Sequence, residues 1–205
     1  MKSAIENDQT INEFWTWFGS IADSLAANVE DATLLKDLNT RIVNLHPDVS
    51  WEIGPGIKSE LFLALSPNLN RSLLLTTRHI VSYAPELTNW DFYPALPPKL
   101  WDYRFEIEHN GSVLVIDAAA WSYVMLRYPD ANYELLIEGT EKLPNDEDVR
   151  WQICAILLQG ILGEEILLER IDHFELFDQI PSEFRALRKP IKQLRSAVVP
   201  EGVDE

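Results

Sequence analysis

The chain has 205 residues, 46% of them hydrophobic and 10% aromatic, and its formal net charge at pH 7 is −16. This length and apolar content predict a globular protein with a large buried core and exclude wholesale disorder. The negative charge repels nucleic-acid phosphate, and no apolar run approaches the ~18 residues of a membrane span, so we expect neither nucleic acid nor membrane as a partner.

The N-terminal segment predicts a helical hairpin. The sequence TINE fits a capping box with Thr10 as the N-cap, and apolar residues follow it at helical spacing. A second helix is predicted to begin after Asp31 and to end at Leu45, before HPD. We expect residues 1–48 to form two helices that pack on the body of the protein.

Beyond this hairpin the apolar residues alternate as they do in strands. VSWEI and KSELFLAL predict two strands, and the glycines of the intervening Gly54-Pro55-Gly56 permit the positive φ of a tight turn. NRSLLLTTRHIVSYA predicts a helix that ends near Ala84, because Pro85 disfavours helical backbone in the residue before it. NWDFYPAL predicts an extended segment.

The second half of the chain predicts a similar alternation of elements. Asn110-Gly111 is the preferred pair for a type I′ turn and predicts a hairpin within YRFEIEHNGSVLVIDA. WSYVMLRY and NYELLIEG predict two strands, followed by a helix from about residue 145 to Gly163. EEILLERIDHFELF predicts a long strand, and PSEFRALRKPIKQLRSAV predicts a helix that is interrupted or restarted at Pro190.

These elements favour an α+β fold. We expect an antiparallel sheet built from hairpin-like strand pairs, with helices packed on it. Residues 49–96 and 121–177 both read strand, turn, strand, helix, strand, which predicts an approximate ββαβ repeat without residue identity. The domain organisation that we predict is one compact domain made of the helical hairpin, a body at residues 49–181, and a basic C-terminal helix with a frayed tail at residues 182–205.

The stretch WEIGPG, which begins at Trp51, has two interpretations. In the first, it only turns the chain, with Trp51 toward the core and Glu52 toward the opposite side of the sheet. In the second, Glu52 and Glu60 form a carboxylate pair beside Trp51 that is suited to acid–base chemistry. The glycines Gly54 and Gly56 would then let a ligand approach the backbone closely.

Two further sets of side chains are candidates for binding. The first is aromatic and lies among prolines, and it predicts either a rigid recognition surface or core: Trp90, Phe92, Tyr93 and Trp101. The second is basic, belongs to the predicted C-terminal helix and has no acid within it: Arg185, Arg188, Lys189, Lys192 and Arg195. Phe184, Leu187, Ile191 and Leu194 form an apolar stripe beside it.

The basic helix either docks on the acidic body of its own chain or contacts an acidic partner or a second copy of the chain. We expect docking within the chain, and therefore a monomer, with a homodimer as the alternative.

Nothing in the sequence indicates a metal or a cofactor. The four histidines are scattered without a metal-ligand spacing, and no second cysteine is present to complete a zinc site. Cys154 lies in the apolar run WQICAILLQG and is predicted to be a core residue. A single cysteine cannot form an internal disulfide, and the first residues lack the pattern of a signal peptide, so we expect a soluble, cytoplasmic protein.

The segments FWTWF, WEIGPG, LALSP and APELTNWDFYP resemble small uncharacterised bacterial families of unknown function, over roughly the first half of the chain. The resemblance implies a bacterial, cytoplasmic protein and brings no catalytic residues. The leading hypothesis is a non-enzymatic interaction protein that binds a basic protein partner, as immunity or inhibitor proteins do. The alternative is a hydrolase or other small-molecule enzyme that uses Glu52 and Glu60 near Trp51.

Overall fold

The computed structural model describes residues 4–129 and 132–199. The chain divides between Leu96 and Pro97 into two compact units, an N-terminal and a C-terminal one. The predicted boundaries at residues 48 and 181 fall inside these units. The predicted tail at residues 200–205 lies outside the described residues.

The N-terminal unit is a three-stranded mixed sheet covered by helices. Strand β2 is central, with β1 antiparallel on one side and β3 parallel on the other. Its elements in chain order are α1 (Ala4–Ala27), α2 (Ala32–Leu45), β1 (Ser50–Pro55), β2 (Leu61–Ser66), α3 (Arg71–Val81) and β3 (Trp90–Tyr93). The predicted helical hairpin, strand pair and third helix are confirmed, although α3 ends three residues before the predicted Ala84.

The core of the N-terminal unit lies between the helical hairpin and the sheet. The buried face of α1 has the predicted helical spacing and packs with Leu63 and Leu65 of β2. The N-cap predicted at Thr10 is wrong, because α1 begins at Ala4 and Thr10 lies inside it. Adding residues to an existing helix costs much less free energy than nucleating a new helix. The residues before Thr10 therefore join α1.

The C-terminal unit contains a two-stranded sheet and a four-stranded mixed sheet. Strands β4 and β5 form the first, and the second has the order β8-β7-β6-β9. Its helices and strands are β4 (Arg104–His109), β5 (Ser112–Asp117), β6 (Ser122–Arg127), β7 (Tyr133–Glu138), α4 (Glu147–Leu162), α5 (Glu164–Arg170), β8 (Ile171–Phe177), β9 (Lys189–Pro190) and α6 (Leu194–Val198). The predicted Asn110-Gly111 turn is confirmed, with φ of 52° and 72°.

The two units share one arrangement of consecutive elements. In each, an antiparallel hairpin (β1-β2 or β6-β7) is followed by helix and then by a strand parallel to the second strand of the hairpin. The predicted α+β class and the approximate ββαβ repeat are therefore confirmed. The parallel pairs, which the prediction of an antiparallel sheet missed, arise because a helical crossover returns the chain in its original direction.

The long strand predicted over residues 164–177 is wrong in its first half. Residues 164–170 form helix α5, and strand β8 begins only at Ile171. Gly163 ends α4 with a φ of 82°, and α5 leaves it at an angle of 107°. Two acidic residues in the first turn of α5 favour a helix there, because carboxylates interact favourably with the positive end of the helix dipole.

The helix predicted for the C-terminal segment is wrong before Pro190, while the predicted restart after Pro190 is confirmed. Residues 185–187 and 191–193 form short 3₁₀ turns, and only Leu194–Val198 are α-helical. Pro190 lacks a backbone N–H and disfavours helical backbone at Lys189. These two residues form β9 instead, which pairs with the start of β6.

No single helix in the part of the chain that the structure describes is long and apolar enough to cross a bilayer. Taken together, α4 and α5 meet that criterion by length and composition, with the bend of 107° between them.

Candidate functional site

The glycines of WEIGPG serve close packing within the chain. Neither Gly54 nor Gly56 has a positive φ, so the predicted reason for these two glycines is wrong. A Cβ at Gly54 would lie 2.7 Å from Cε1 of Phe62, and one at Gly56 would lie 2.5 Å from the carbonyl oxygen of Ser59. Gly56 needs glycine because backbone of the same chain already occupies that space, whereas at Gly54 the Phe62 ring would have to move to admit a Cβ.

The loop after Gly56 encloses the carboxylate of Asp91 on β3. The backbone N–H groups of Ile57, Lys58 and Ser59 donate to Asp91 Oδ2 at 3.1, 3.0 and 3.1 Å, and Ser59 Oγ donates to Oδ1 at 2.8 Å. Partial burial raises the pKa of Asp91, but these hydrogen bonds outweigh it and hold the pKa below its ordinary value. The loop is thereby tied to the third strand of the sheet.

The sheet does not pair Glu52 with Glu60. Glu52 lies opposite Ala64 in the β1-β2 ladder, whereas the Glu60 carbonyl accepts the Gly56 N–H at 3.1 Å, four residues further along. Four residues of strand span about 13 Å. Carboxylate pairs that act through an intervening water are roughly 6.5–9.5 Å apart, so the register favours no acid–base pair at this position.

The aromatic candidates belong to both units, and each packs within its own unit. Trp90 is 4% exposed, and its indole N–H donates to the Ala22 carbonyl at 3.3 Å. Trp51 is half-buried against the same core, while Tyr93 packs edge-to-face on Phe62 at 5.8 Å. Trp101 belongs to the C-terminal unit and lies against Gly160 of α4.

The basic candidates contact their own unit. Arg188 pairs with Glu138 at 2.7 Å, and Arg195 donates to the last carbonyls of α4, those of Ile161 and Leu162, at 3.3 and 3.1 Å. The other contacts are Arg185 Nε to the Ile180 carbonyl (3.0 Å), Lys192 Nζ over the ring of Tyr103 (5.9 Å) and Lys189 in the β6-β9 ladder.

The apolar residues beside the basic set are buried only in part. Ile191 and Leu194 are fully buried within the C-terminal unit. Leu187 is 56% exposed, so its predicted burial is wrong.

A cleft of about 630 Å³ lies between the first turns of α4 and the edge strand β8. Its lining comprises Asn145, Glu147, Arg150, Trp151, Cys154, His173, Phe174, Glu175, Leu176, Phe177 and Asp178. Asp146 begins α4 as its N-cap, with Oδ1 accepting from Asp148 N at 3.0 Å and from Val149 N at 3.2 Å. This cap fixes the position at which α4 begins. It thereby positions the side chains of the first turns beside β8.

An exposed tryptophan dominates the cleft. Trp151 is 53% exposed and stacks on Phe174 of β8, with ring centroids 6.0 Å apart and an interplanar angle of 30°. The opposite face of α4 carries the buried residues Val149, Ile153 and Leu157. Trp151 is exposed because it lies in the first turns of α4, whereas Cys154, Ala155 and Leu158 on the same side of the helix are buried. The periodicity of the sequence therefore does not distinguish Trp151 from a core residue.

Arg150 is committed to contacts within the chain. Its Nε and Nη2 atoms donate to the Leu176 carbonyl at 3.2 and 2.8 Å, and Nη1 donates to the Pro144 carbonyl at 3.1 Å. Both terminal nitrogens also reach Asp178 Oδ1, at 3.1 and 3.0 Å. The guanidinium therefore ties α4 to the end of β8, and it neutralises one of the carboxylates of the cleft.

The electrostatic character of the cleft is acidic. Three carboxylates, those of Glu147, Glu175 and Asp178, face one guanidinium, which leaves a formal charge of −2 on the lining. Glu147 and Glu175 are exposed at the rim. An exposed indole flanked by carboxylates is chemically suited to a cationic group, because the π face and the carboxylates both attract positive charge.

Cys154 lies at the floor of this cleft but is inert. Its side chain is fully buried, and burial raises the pKa of the thiol to about 12. A thiol in this state is no nucleophile at neutral pH. Among the described residues, no group of three or more His, Cys, Asp or Glu side chains is arranged to hold a metal ion.

No protein-family model, curated protein sequence or solved structure matches this chain significantly.

Proposed function

We propose that this chain is a non-enzymatic, cytoplasmic interaction protein that binds a basic protein partner, in the manner of an immunity or inhibitor protein. The cleft between α4 and β8 is its docking site. The observation that carries the proposal is the exposed, stacked Trp151 in a cleft of net negative charge. The single, fully buried and reduced Cys154 is consistent with the cytoplasm.

Tryptophan is among the residues that most often anchor protein–protein interfaces, because a rigid indole buries a large area at a small entropic cost. Trp151 has more than half of its surface available for such burial. Phe174 holds the indole from one side, so little rotational freedom remains to be lost on binding. The carboxylates around it favour a partner that presents Lys or Arg.

The charge of the whole chain supports the same choice of partner. Residues 1–96 contain 6 basic and 12 acidic side chains, and residues 97–205 contain 11 and 21, which gives formal charges of −6 and −10. The cleft thus lies in the more acidic unit. A field of this sign attracts a basic protein over a distance of several ångströms at physiological salt and repels an acidic one.

The first experiment uses a twelve-residue peptide of Lys, Arg and Ser, titrated into the protein by calorimetry at 50 and 300 mM salt. We expect binding that weakens at the higher salt concentration. The double variant Glu147→Lys/Glu175→Lys reverses the two carboxylates at the rim and should abolish binding. The matched control is Glu13→Lys/Asp23→Lys, which changes the net charge by the same amount at exposed positions of α1. This control should retain most of the affinity for the peptide.

Equal effects of the two double variants would show that the peptide binds the overall charge rather than the cleft, and would refute the docking site. Absence of binding at 50 mM salt would refute the proposal of a basic partner.

A further inference from the structure

We propose that the cleft recognises an arginine side chain of the partner, whose guanidinium lies on the free face of the Trp151 indole and pairs with Glu147 or Glu175. This inference rests on the proposed function and names the group that the cleft binds.

The geometry of the cleft leaves one site open on the indole. Phe174 covers one face of Trp151 as a stacked ring, and the residue remains 53% exposed. Glu147 precedes Trp151 by four residues on α4, which places the two side chains on one face of the helix about 5–6 Å apart at Cβ. Glu175 follows Phe174 on β8 and lines the same cleft. A cation on the open face therefore lies within reach of the Glu147 carboxylate, in a cleft that Glu175 also lines.

The N-terminal unit contains a complete arrangement of the same kind. The guanidinium carbon of Arg41 lies 4.3 Å from the centroid of the Trp17 ring. Its Nε is 3.3 Å from Asp37 Oδ1, one helical turn earlier. This chain thus stabilises an arginine between an indole face and a carboxylate, and the cleft presents the indole and the carboxylates without the arginine.

The arginine of the cleft itself does not fill this position. Arg150 follows Glu147 by three residues but directs its nitrogens to the carbonyls of Leu176 and Pro144 and to Asp178. Its side chain is only 15% exposed. The position on Trp151 is therefore left to a guanidinium from another molecule.

Arginine fits the cleft better than lysine does. A guanidinium is planar, so it stacks on an indole while its fork of N–H groups points sideways at carboxylates. An ammonium group has no plane to stack and is more strongly hydrated, so it loses more solvation on the indole. We expect the cleft to bind arginine about fivefold more tightly than lysine, a difference of the size of the cation–π contribution at a partly exposed site.

The test compares three peptides that differ at one central residue, which is Arg, Lys or the neutral isostere citrulline, within an otherwise uncharged Gly-Ser sequence. Binding to the full chain is followed by the ¹⁵N-indole resonance of Trp151, which is assigned by its loss in Trp151→Phe. We expect the arginine peptide to shift this resonance, the lysine peptide to bind about fivefold more weakly, and the citrulline peptide to have no effect. The six other tryptophans of the chain are internal controls.

An unmoved Trp151 resonance with the arginine peptide would overturn the inference, and so would equal affinity for the arginine and lysine peptides. If the two bind equally and Glu147→Lys/Glu175→Lys removes both, the proposal of a basic partner stands and the choice of arginine fails. If neither these peptides nor the twelve-residue basic peptide binds, the proposed function itself fails.

Discussion

The buried tryptophans of this chain and Trp151 are used differently. Trp15, Trp90 and Trp121 are each less than 5% exposed, and each indole N–H donates within the chain, to Ile80 O, Ala22 O and Glu141 Oε2. These three combine a large apolar area with a satisfied polar atom, as buried tryptophans usually do. Trp151 instead exposes about half of its surface to solvent, and this exposure is the basis for assigning it a partner.

At the scale of single residues, Asp91 should matter more to stability than any exposed carboxylate. Asp91→Asn removes the charge that strengthens four hydrogen bonds from the 57–59 loop, and should cost about 1–2 kcal/mol of unfolding free energy at pH 7. Asp23→Asn, on an exposed position of α1, is the matched control and should cost less than about 0.5 kcal/mol. Urea unfolding at pH 7 measures both.

The pH dependence of the Asp91 contribution follows from the direction of its shift. Because the folded-state pKa lies below the ordinary value, the stabilisation is present above that ordinary value of about 3.9 and is lost as the pH falls through the lower, folded-state pKa. The difference between wild type and Asp91→Asn should therefore shrink below about pH 4. A difference that stays constant from pH 7 to pH 3 would contradict the role of the charge.

The candidate site shows what sequence reasoning can reach at the scale of residues. The glycines of WEIGPG were predicted to supply a tight turn, but Gly54 lies within β1 and neither glycine has a positive φ. The loop that follows them is held by Asp91, over 30 positions away, which has no local signal. Trp151 had no periodic signal, since Cys154, Ala155 and Leu158 on the same side of α4 are buried. Its partner Phe174 follows only from the packing of α4 against β8, which no periodicity reveals.

At the scale of elements, α4 depends on a glycine where helices ordinarily disfavour one. Gly160 lies inside α4, and a Cβ there would be 2.3 Å from Cζ2 of Trp101. The backbone of the preceding segment docks at the same point, with the Lys99 N–H donating to the Gly160 carbonyl at 2.8 Å. The close approach of Trp101 outweighs the cost of about 0.5–1 kcal/mol that glycine brings to a helix interior.

Gly19 and Gly160, the two glycines inside helices in the described part of the chain, therefore predict opposite effects of alanine. Gly160→Ala should destabilise by about 1–3 kcal/mol, because the new methyl group overlaps the Trp101 ring. Gly19→Ala, on an exposed position of α1 with nothing within 4 Å of its Cβ, should stabilise by about 0.5–1 kcal/mol. Guanidinium unfolding of both variants tests the pair, and an increase in stability for Gly160→Ala would show that the Trp101 contact is dispensable.

The elements that were predicted correctly are those whose pattern is local. The hairpin at Asn110-Gly111 and the order of the ββαβ repeat follow from turn residues and periodicity. The restart of the chain as α5 depends on the φ of Gly163, and the break in the C-terminal segment depends on pairing between Lys189-Pro190 and β6. The proline predicted the interruption itself. That residues 182–190 form no α-helix at all could not be predicted, because tertiary pairing overrides helical periodicity there.

At the scale of the whole molecule, the C-terminal segment joins its unit mainly through apolar burial. Ile191, Leu194 and Val198 are each 5% exposed or less. Burying such side chains stabilises by about 1.5–3 kcal/mol each. The ion pair of Arg188 with Glu138 joins a half-exposed arginine to a largely shielded carboxylate. It should contribute at most about 1 kcal/mol.

Removal of residues 182–205 should accordingly lower the thermal stability of the C-terminal unit strongly and leave the molar mass in solution that of a monomer. Leu194→Ala should cost about 2–5 kcal/mol, because it leaves a cavity in a fully buried position. The charge-removing control Arg188→Gln should cost no more than about 1 kcal/mol. Scanning calorimetry measures the thermal stability of each variant, and light scattering measures the molar mass in solution. A dimer of the full chain that dissociates on truncation would contradict docking of this segment within its own chain, and an Arg188→Gln effect as large as that of Leu194→Ala would contradict its apolar basis.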